Sequence, residues 1–480
     1  MASLKRNWLQ YLSREEILKI DSASRQVLTQ VGVRLEDEEI RQQLLDQGCR
    51  HENSRVQFTP EIIDAAVAGL PAEVIFGSRS GKRLHIREGQ VETHTGGSIP
   101  FLYDLENGHK RDATQADLVD MLRMMNHLEH LSMPGAVVMP QEVPSAITEI
   151  LQAACLFRHN LKPTSGTAVS SAAQARYIVE LYRAMSGAVD ELDRYPLMNV
   201  GISPESPLYF PREIVDVMKA FIREGIPTLA LVAPILGFTA PMTIAGGLTQ
   251  MNACILAYAV ISRQINPATP VIYGARLAVA NMRTAHSVWG VPEVGLIGAC
   301  SVQLARYYGL PSDVYGYSST ACTHDAQYGA EMAVNGLLPM LAGANIISGF
   351  GSFASGYLSS FEDLVIDDEI FAMHLRAAQG VVVDDDHLAV DGIAQAMNGK
   401  DYFLQPHTLK HLRTGELFRP QVGFYGLVKE WEQEGSRDMT ARARERAKAL
   451  MSAHEDTPLP TDVEKEFCRI LKAAEKELVR

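Results

Sequence analysis

The sequence predicts an α/β protein: a (β/α)8 barrel with an N-terminal helical and hairpin cap and a C-terminal helical tail. Three observations carry this. From about residue 114, short apolar runs alternate with long amphipathic patterns, and such alternation calls for a parallel sheet. Eight units over about 290 residues suit a barrel better than a doubly wound sheet. No G-x-G-x-x-G follows a strand and opens a helix, so the dinucleotide-binding signature is missing. The 480 residues exceed a minimal domain but fit a decorated barrel.

The cap spans residues 1–112. Ser13-Arg14-Glu15-Glu16 is a capping box that opens an amphipathic helix, and Thr59-Pro60-Glu61 opens a second, with proline at its first helical position. Val74-Ile75-Phe76-Gly77, Leu84-His85-Ile86 and Val91-Glu92-Thr93-His94 alternate like short antiparallel strands. The barrel spans 113–435. Thr114 and Asp117 cap its first helix, and Leu118, Met121, Leu122 and Met125 follow at helical spacing. The strands are expected at 135–139, 164–168, 197–201, 228–233, 270–274, 313–317, 345–349 and 402–405. Between them, Ile214, Val217, Met218, Phe221 and Ile222 share one face of a crossover helix. The tail spans 436–480, with a capping box at Thr461-Asp462-Val463-Glu464.

Composition narrows the function. There are 44 basic and 57 acidic residues, a net charge of −13, which argues against a nucleic-acid groove and suits cationic substrates. The six cysteines form no C-x-x-C pair and read as free thiols of a reducing compartment, so a cytoplasmic protein is expected. The N-terminus, Met1 to Trp8, has no apolar signal core. No run of about 18 apolar residues reads as a membrane span. The nearest, 225–245, is broken by Pro227, Pro234 and Pro241.

A barrel draws its chemistry from the C-terminal ends of its strands. Those ends carry Glu205, Arg276, Tyr317, Ser318, Ser319, Cys322, His324, Asp325 and His407. The run at 342–357 ends in a glycine-rich loop with Phe350, Phe353 and Tyr357. Rings beside glycines suit a pocket wall for a small cation, or a core under a loop. Arg276 could clamp a carboxylate or close a salt bridge. His324 could be an oriented polar contact or part of a helix start with Asp325. No paired carboxylates and no G-x-S-x-G elbow are evident. His407 and His411 stand four apart, which keeps a metal-dependent barrel hydrolase as an alternative. A non-catalytic amine-binding subunit is a second alternative. No metal is assigned.

Gly96-Gly97-Ser98-Ile99-Pro100-Phe101-Leu102-Tyr103-Asp104 leads into Arg111-Asp112-Ala113-Thr114. Later come Asp325-Ala326-Gln327-Tyr328-Gly329-Ala330-Glu331, Leu341-Ala342-Gly343-Ala344-Asn345 and Glu362-Asp363-Leu364-Val365-Ile366-Asp367-Asp368-Glu369-Ile370, then His407-Thr408 and Trp431. Together these resemble the trimethylamine methyltransferase family over almost the whole chain. The resemblance implies a TIM barrel, methyl transfer to cob(I)alamin on a separate corrinoid protein, and no cofactor held permanently by this chain. Founding members carry pyrrolysine, whereas this chain has only ordinary amino acids. It therefore resembles the branch of glycine betaine:corrinoid methyltransferases. On that footing Phe350, Phe353 and Tyr357 are expected to bound the substrate, with Tyr317, His324, Arg276, Glu205 and His407 as further contacts. A homo-oligomer, with neither a nucleic-acid nor a membrane partner, completes the expectation.

Overall fold

The computed structural model describes residues 8–166, 168–187, 194–455 and 457–479. The first seven residues, most of the N-terminal stretch expected to lack a signal core, and Thr167 of the expected second strand lie outside them.

Seven parallel strands form the central sheet. They are β1 (Glu92–Thr95), β2 (Thr164–Gly166), β3 (Met198–Ile202), β4 (Thr228–Val232), β5 (Val271–Ala275), β6 (Ser312–Tyr315) and β7 (Ile346–Phe350). Their order is β1-β7-β6-β5-β4-β3-β2, so each chain-order neighbour from β2 to β7 is also a neighbour in space. The gap between β1 and β2 is bridged by residues 132–138. Met133 N–H donates to Thr93 O at 2.9 Å, and Ser165 N–H donates to Pro134 O at 3.1 Å. A Cβ on Gly135 would meet Thr95 Oγ1 at 2.7 Å and Ser165 O at 2.9 Å, so only glycine lets the closing segment lie this tightly. With that segment the barrel has eight staves.

Three expectations change here. Residues 402–405 are no barrel strand: Tyr402–Leu404 is a 3-10 turn with Phe403 82% and Leu404 80% exposed. The barrel instead starts at Glu92-Thr93-His94-Thr95, which the sequence reads as an antiparallel strand of the cap. All four of its residues are buried. A polar strand with no solvated face escapes a hydrophobicity reading, because its inward side meets polar partners rather than an apolar core. The expected 313–317 strand also ends early. The Gly316 and Tyr317 amides both donate to Ser348 O, at 3.1 and 3.0 Å, and the chain turns there.

Eight helices surround the sheet: α1 (Gln115–Met125), α2 (Ser145–His159), α3 (Ala172–Ser186), α4 (Arg212–Ile222), α5 (Ile244–Ile265), α6 (Pro292–Tyr307), α7 (Ala326–Leu341) and α8 (Phe361–Gln379). Among the described residues, α5 alone is long and apolar enough to cross a membrane, yet 72% of its most apolar window is buried. Its Asn252 shows how such a helix keeps a polar side chain: the amide donates to Ser24 Oγ and to Tyr308 OH, and its oxygen accepts from Tyr273 OH.

The hairpin of Val74–Phe76 and Leu84–Ile86 stoppers the barrel's N-terminal end. Val74, Phe76 and Ile86 form one apolar cluster with Met133, Leu229, Ile272 and Ile346 from the staves. Burying each such side chain stabilises by roughly 1.5–3 kcal/mol. In the tail, the helix Thr461–Leu478 sets Phe467 edge-on to Phe157 of α2.

Glu92 is an inward acid near this stopper. Burial raises its carboxyl to about 7, against a smaller lowering by the Ser132 hydroxyl that donates to it at 2.5 Å. The folded state then holds the extra proton between 4.5, the ordinary value, and 7, so stability falls as pH rises through that window. Glu92→Gln is expected to leave stability at pH 4 unchanged and to raise it at pH 8 by on the order of 3 kcal/mol. Urea midpoints at the two pH values check this; equal shifts would refute it.

Candidate active site

At the C-terminal ends of the strands the barrel opens into a cavity of about 180 Å³. Its wall comes from His94 and Thr95 of β1, the Gly96-Gly97-Ser98 turn, Gly135, Ser165, Gly201, Leu229 and Leu231 of β4, Arg276 and Tyr315. Larger hollows exist, one of 310 Å³ near Arg79 and Glu464 and one of 520 Å³ at 385–407, but neither is walled by strand ends, where barrels place their chemistry. The mouth cavity is smaller than the roughly 300–1,000 Å³ of ordinary ligand pockets, so it suits a small substrate.

The floor is polar. Asp313, on β6, is fully buried and accepts from His94 Nε2 at 2.6 Å and from Arg276 Nη2 at 2.7 Å. The Ser348 hydroxyl of β7 lies 3.1 Å from the same carboxylate and accepts from Arg276 at 2.8 Å. Arg276 also donates to the Ala275 and Asp313 carbonyls, both at 3.0 Å. Burial alone would raise the Asp313 carboxyl, but Arg276 and His94 hold it at about 2. The carboxylate is ionised and spent on its partners. Arg276 is thereby locked in position at the cavity wall.

The cavity's aromatic face is Tyr315. Trp289 stands edge-on to it at 4.9 Å between centroids, and the Arg276 guanidinium lies 5.5 Å from its ring. Its hydroxyl is 3.2 Å from Ser352 Oγ. A Cβ on Gly96 would meet Ser352 Cβ at 2.7 Å, so the glycine turn and the loop after β7 touch because a side chain is missing between them.

Of the residues expected at the site, Arg276 lines the cavity. Phe350 and Tyr317 are fully buried one layer behind, 4.7 Å apart and packed on Phe371 of α8. The Tyr317 hydroxyl donates to His374 Nδ1 at 2.8 Å, and burial lowers His374 to about 4, which keeps that nitrogen an acceptor. Phe353 is also fully buried, between Tyr103 and His324. His324 binds Asp363 at 2.9 Å. Tyr357 is 53% exposed, edge-on to His286. Glu205 is exposed on the loop after β3, its backbone paired with Tyr209. His407 lies on the helix Pro406–Arg413, beside His411.

Behind the loop, the Tyr328 hydroxyl lies 2.7 Å from Asp363 and 2.6 Å from Asp367. One hydroxyl proton cannot serve two carboxylates. Burial and the Asp363 charge raise Asp367 well above the usual carboxylate range, so Asp367 carries a proton and donates to Tyr328, which donates to Asp363. Asp367 also accepts from Gly351 N–H at 2.8 Å and so pins the glycine loop.

His94, Asp313, Tyr315, Trp289 and Ser98 are absent from the sequence expectation. One signal was available: Asp313 and Tyr315 stand two apart in a strand and therefore share a face. A charged residue inside a buried strand needs a partner.

A substrate-sized cavity at the C-terminal mouth of a barrel, with a locked guanidinium and an aromatic face, defines a barrel enzyme of small-molecule chemistry. Residues 3–477 match the family described as trimethylamine methyltransferase (MTTB). The chain belongs to this family and is a methyltransferase. It is 27% identical over 471 residues to the trimethylamine methyltransferase MttB of Desulfitobacterium hafniense, covering 97% of this chain and 94% of that one. MttB of Methanosarcina barkeri is 28% identical over 486 residues (98% and 96%). The glycine betaine methyltransferase of Desulfitobacterium hafniense strain Y51 is 25% identical over 470 residues, covering 97% of each. Among solved structures, the monomethylamine methyltransferase MtmB of Methanosarcina barkeri aligns at TM-score 0.49 and 14% identity, over 97% of this chain and 93% of that one.

Asp313→Asn is expected to destabilise the protein by about 3–5 kcal/mol, because it leaves Arg276 buried without its counter-charge. Urea denaturation measures it. A loss below about 1 kcal/mol would show that the ion pair does not hold the mouth together.

Proposed function

We propose that this methyltransferase takes a methyl group from a quaternary amine, glycine betaine in preference, and passes it to cob(I)alamin on a separate corrinoid protein, leaving dimethylglycine. The observation that carries this reading is the small mouth cavity, which combines an aromatic face with a locked arginine and offers no uncommitted carboxylate. Family membership supports the methyl transfer and the corrinoid acceptor. The glycine betaine methyltransferase relative and the lack of pyrrolysine support the quaternary substrate.

The chemistry suits these residues. The corrinoid supplies the nucleophile that takes the methyl carbon. The C–N bonding pair returns to nitrogen, which leaves as a neutral tertiary amine and needs no proton. The protein therefore needs no general acid. Its tasks are to hold a cation, orient one N-methyl group toward the barrel mouth and exclude water. The Tyr315 ring, backed by Trp289, attracts an ammonium without pairing with it as strongly as a carboxylate would. A full carboxylate against the nitrogen would stabilise the charged substrate more than the transition state, in which that charge fades. Asp313 is neutralised by His94 and Arg276 and avoids this cost. Gly96 and Ser98 already donate their amides to Phe350 and Ala136, so the substrate's carboxylate is suited to the Gly97 amide and to the charge of Arg276, whose Nη groups are spent on its own partners. Phe350 and Tyr317 support the wall from behind. The corrinoid protein docks over the barrel mouth, and exposed Val390, Leu404 and Leu427 support a homo-oligomer. A cytoplasmic setting fits the free cysteines.

With reduced corrinoid protein or free cob(I)alamin, glycine betaine should bleach the cob(I) absorption and yield dimethylglycine, ahead of proline betaine, carnitine and trimethylamine. Activity with trimethylamine alone, or methyl loss with no corrinoid present, would refute the proposal. Tyr315→Ala should weaken betaine binding roughly 2- to 30-fold, the worth of one cation–π face of about 0.5–2 kcal/mol, whereas Tyr315→Phe should retain it.

A further inference from the structure

Residues 381–421 pack unlike the rest of the chain. Only Gln405 and His411 are buried in the whole stretch, although it contains the helices Asp385–Leu388, Val390–Met397 and Pro406–Arg413. A segment this poor in buried apolar groups lacks the usual source of stability. Small units of this kind are commonly fastened by a metal or a disulfide, and its only sulfur belongs to Met397.

At the centre stand histidines and carboxylates. One ligand atom each from Asp386, His407 and His411 lies within 4.8 Å of the others. The two histidines are i, i+4 on one helix, their rings 4.3 Å apart. His411 Nε2 is 3.0 Å from Asp386 Oδ2, and His407 Nε2 is 2.9 Å from the Asp386 carbonyl. The His411 side chain is nine-tenths buried, yet its Nδ1 has no hydrogen-bond partner. His387 and Glu416 also bring ligand atoms within 4.8 Å of one of His411. A histidine bound to metal through one nitrogen needs an acceptor for the other, and Glu416 is within reach to supply it.

We propose that Asp386, His407 and His411 bind one divalent transition-metal ion, zinc in preference, which fastens residues 384–416 together. Two imidazoles and a carboxylate are a borderline donor set suited to zinc. The 520 Å³ hollow beside His407 leaves room for a water as fourth ligand. Lys410, now 2.7 Å from Asp386, is an exposed, flexible side chain and swings away at little cost. None of these residues lines the barrel-mouth cavity, so the ion's role is structural and independent of the substrate assigned to that cavity.

The test uses the full chain with Cys322→Ser and Cys468→Ser, because both thiols are exposed and collect zinc by themselves. After chelator dialysis, zinc chloride should bind at one equivalent. His407→Ala and Asp386→Asn should each weaken binding at least tenfold, and Glu416→Gln by roughly 10- to 100-fold. Zinc should also slow trypsin cleavage after Lys400, Lys410 and Arg413 in the unsubstituted site, a readout that does not depend on the variants folding. Substoichiometric zinc, equal affinity in the variants, or unchanged cleavage would overturn the proposal.

Discussion

The buried carboxylate of Asp313 is the constraint on which the barrel mouth depends. It sits in the middle of a closed sheet, where an unpaired charge would cost several kcal/mol. Three staves answer it: His94 from β1, Arg276 just past β5 and Ser348 from β7. Side chains remote in sequence are thereby held in one layer. The same pairing cancels the negative charge beneath the cavity while fixing a guanidinium at its edge. The stability and the charge balance of the barrel mouth thus rest on one cluster.

The barrel interior is divided by polarity along its axis. Below the Asp313 layer, the hairpin stopper and the staves share an apolar cluster. Above it, small residues such as Gly96, Gly135 and Gly201 leave room. The apolar end excludes water and strengthens the electrostatics of the polar layer. The polar layer in turn sets the pattern of β1, whose Glu92, Thr93, His94 and Thr95 are all buried. Behind the wall, the proton shared through Tyr328 between Asp363 and Asp367 lets two acids i, i+4 on one helix lie buried side by side. It also anchors the Gly351 amide, and with it the loop after β7.

The barrel staves from 164 to 349 were legible because each is a short apolar run bounded by a helix, and their helical neighbours carry an apolar face at 3.6-residue spacing. The first stave was not, and one expected stave does not exist. Glu92–Thr95 is polar throughout, and 402–405 resembles a strand only because it is aromatic. Propensity cannot reveal that those rings face solvent. At the site, Arg276 was legible as a cation at a strand end. Phe350, Phe353 and Tyr317 carry the residue types of a cation cage, but the turn after β6 and the bulge at Gly349 direct them behind the wall. Asp313 and Tyr315, two apart on one face of a strand, are the mark of the cavity that the sequence does carry.

By itself the sequence determined the fold class, the family and the kind of chemistry. These rest on periodicity, on motifs spread along the whole chain and on the lack of an acid–base pair, all of which are properties of order along a line. Tertiary structure alone decided which residues meet. His94, Arg276, Asp313 and Ser348 come together only because β1 pairs with β7 and the sheet closes through residues 132–138. The physical reason is that register and closure are set by packing between distant segments, and no local pattern in the chain records which distant partner a buried charge will find.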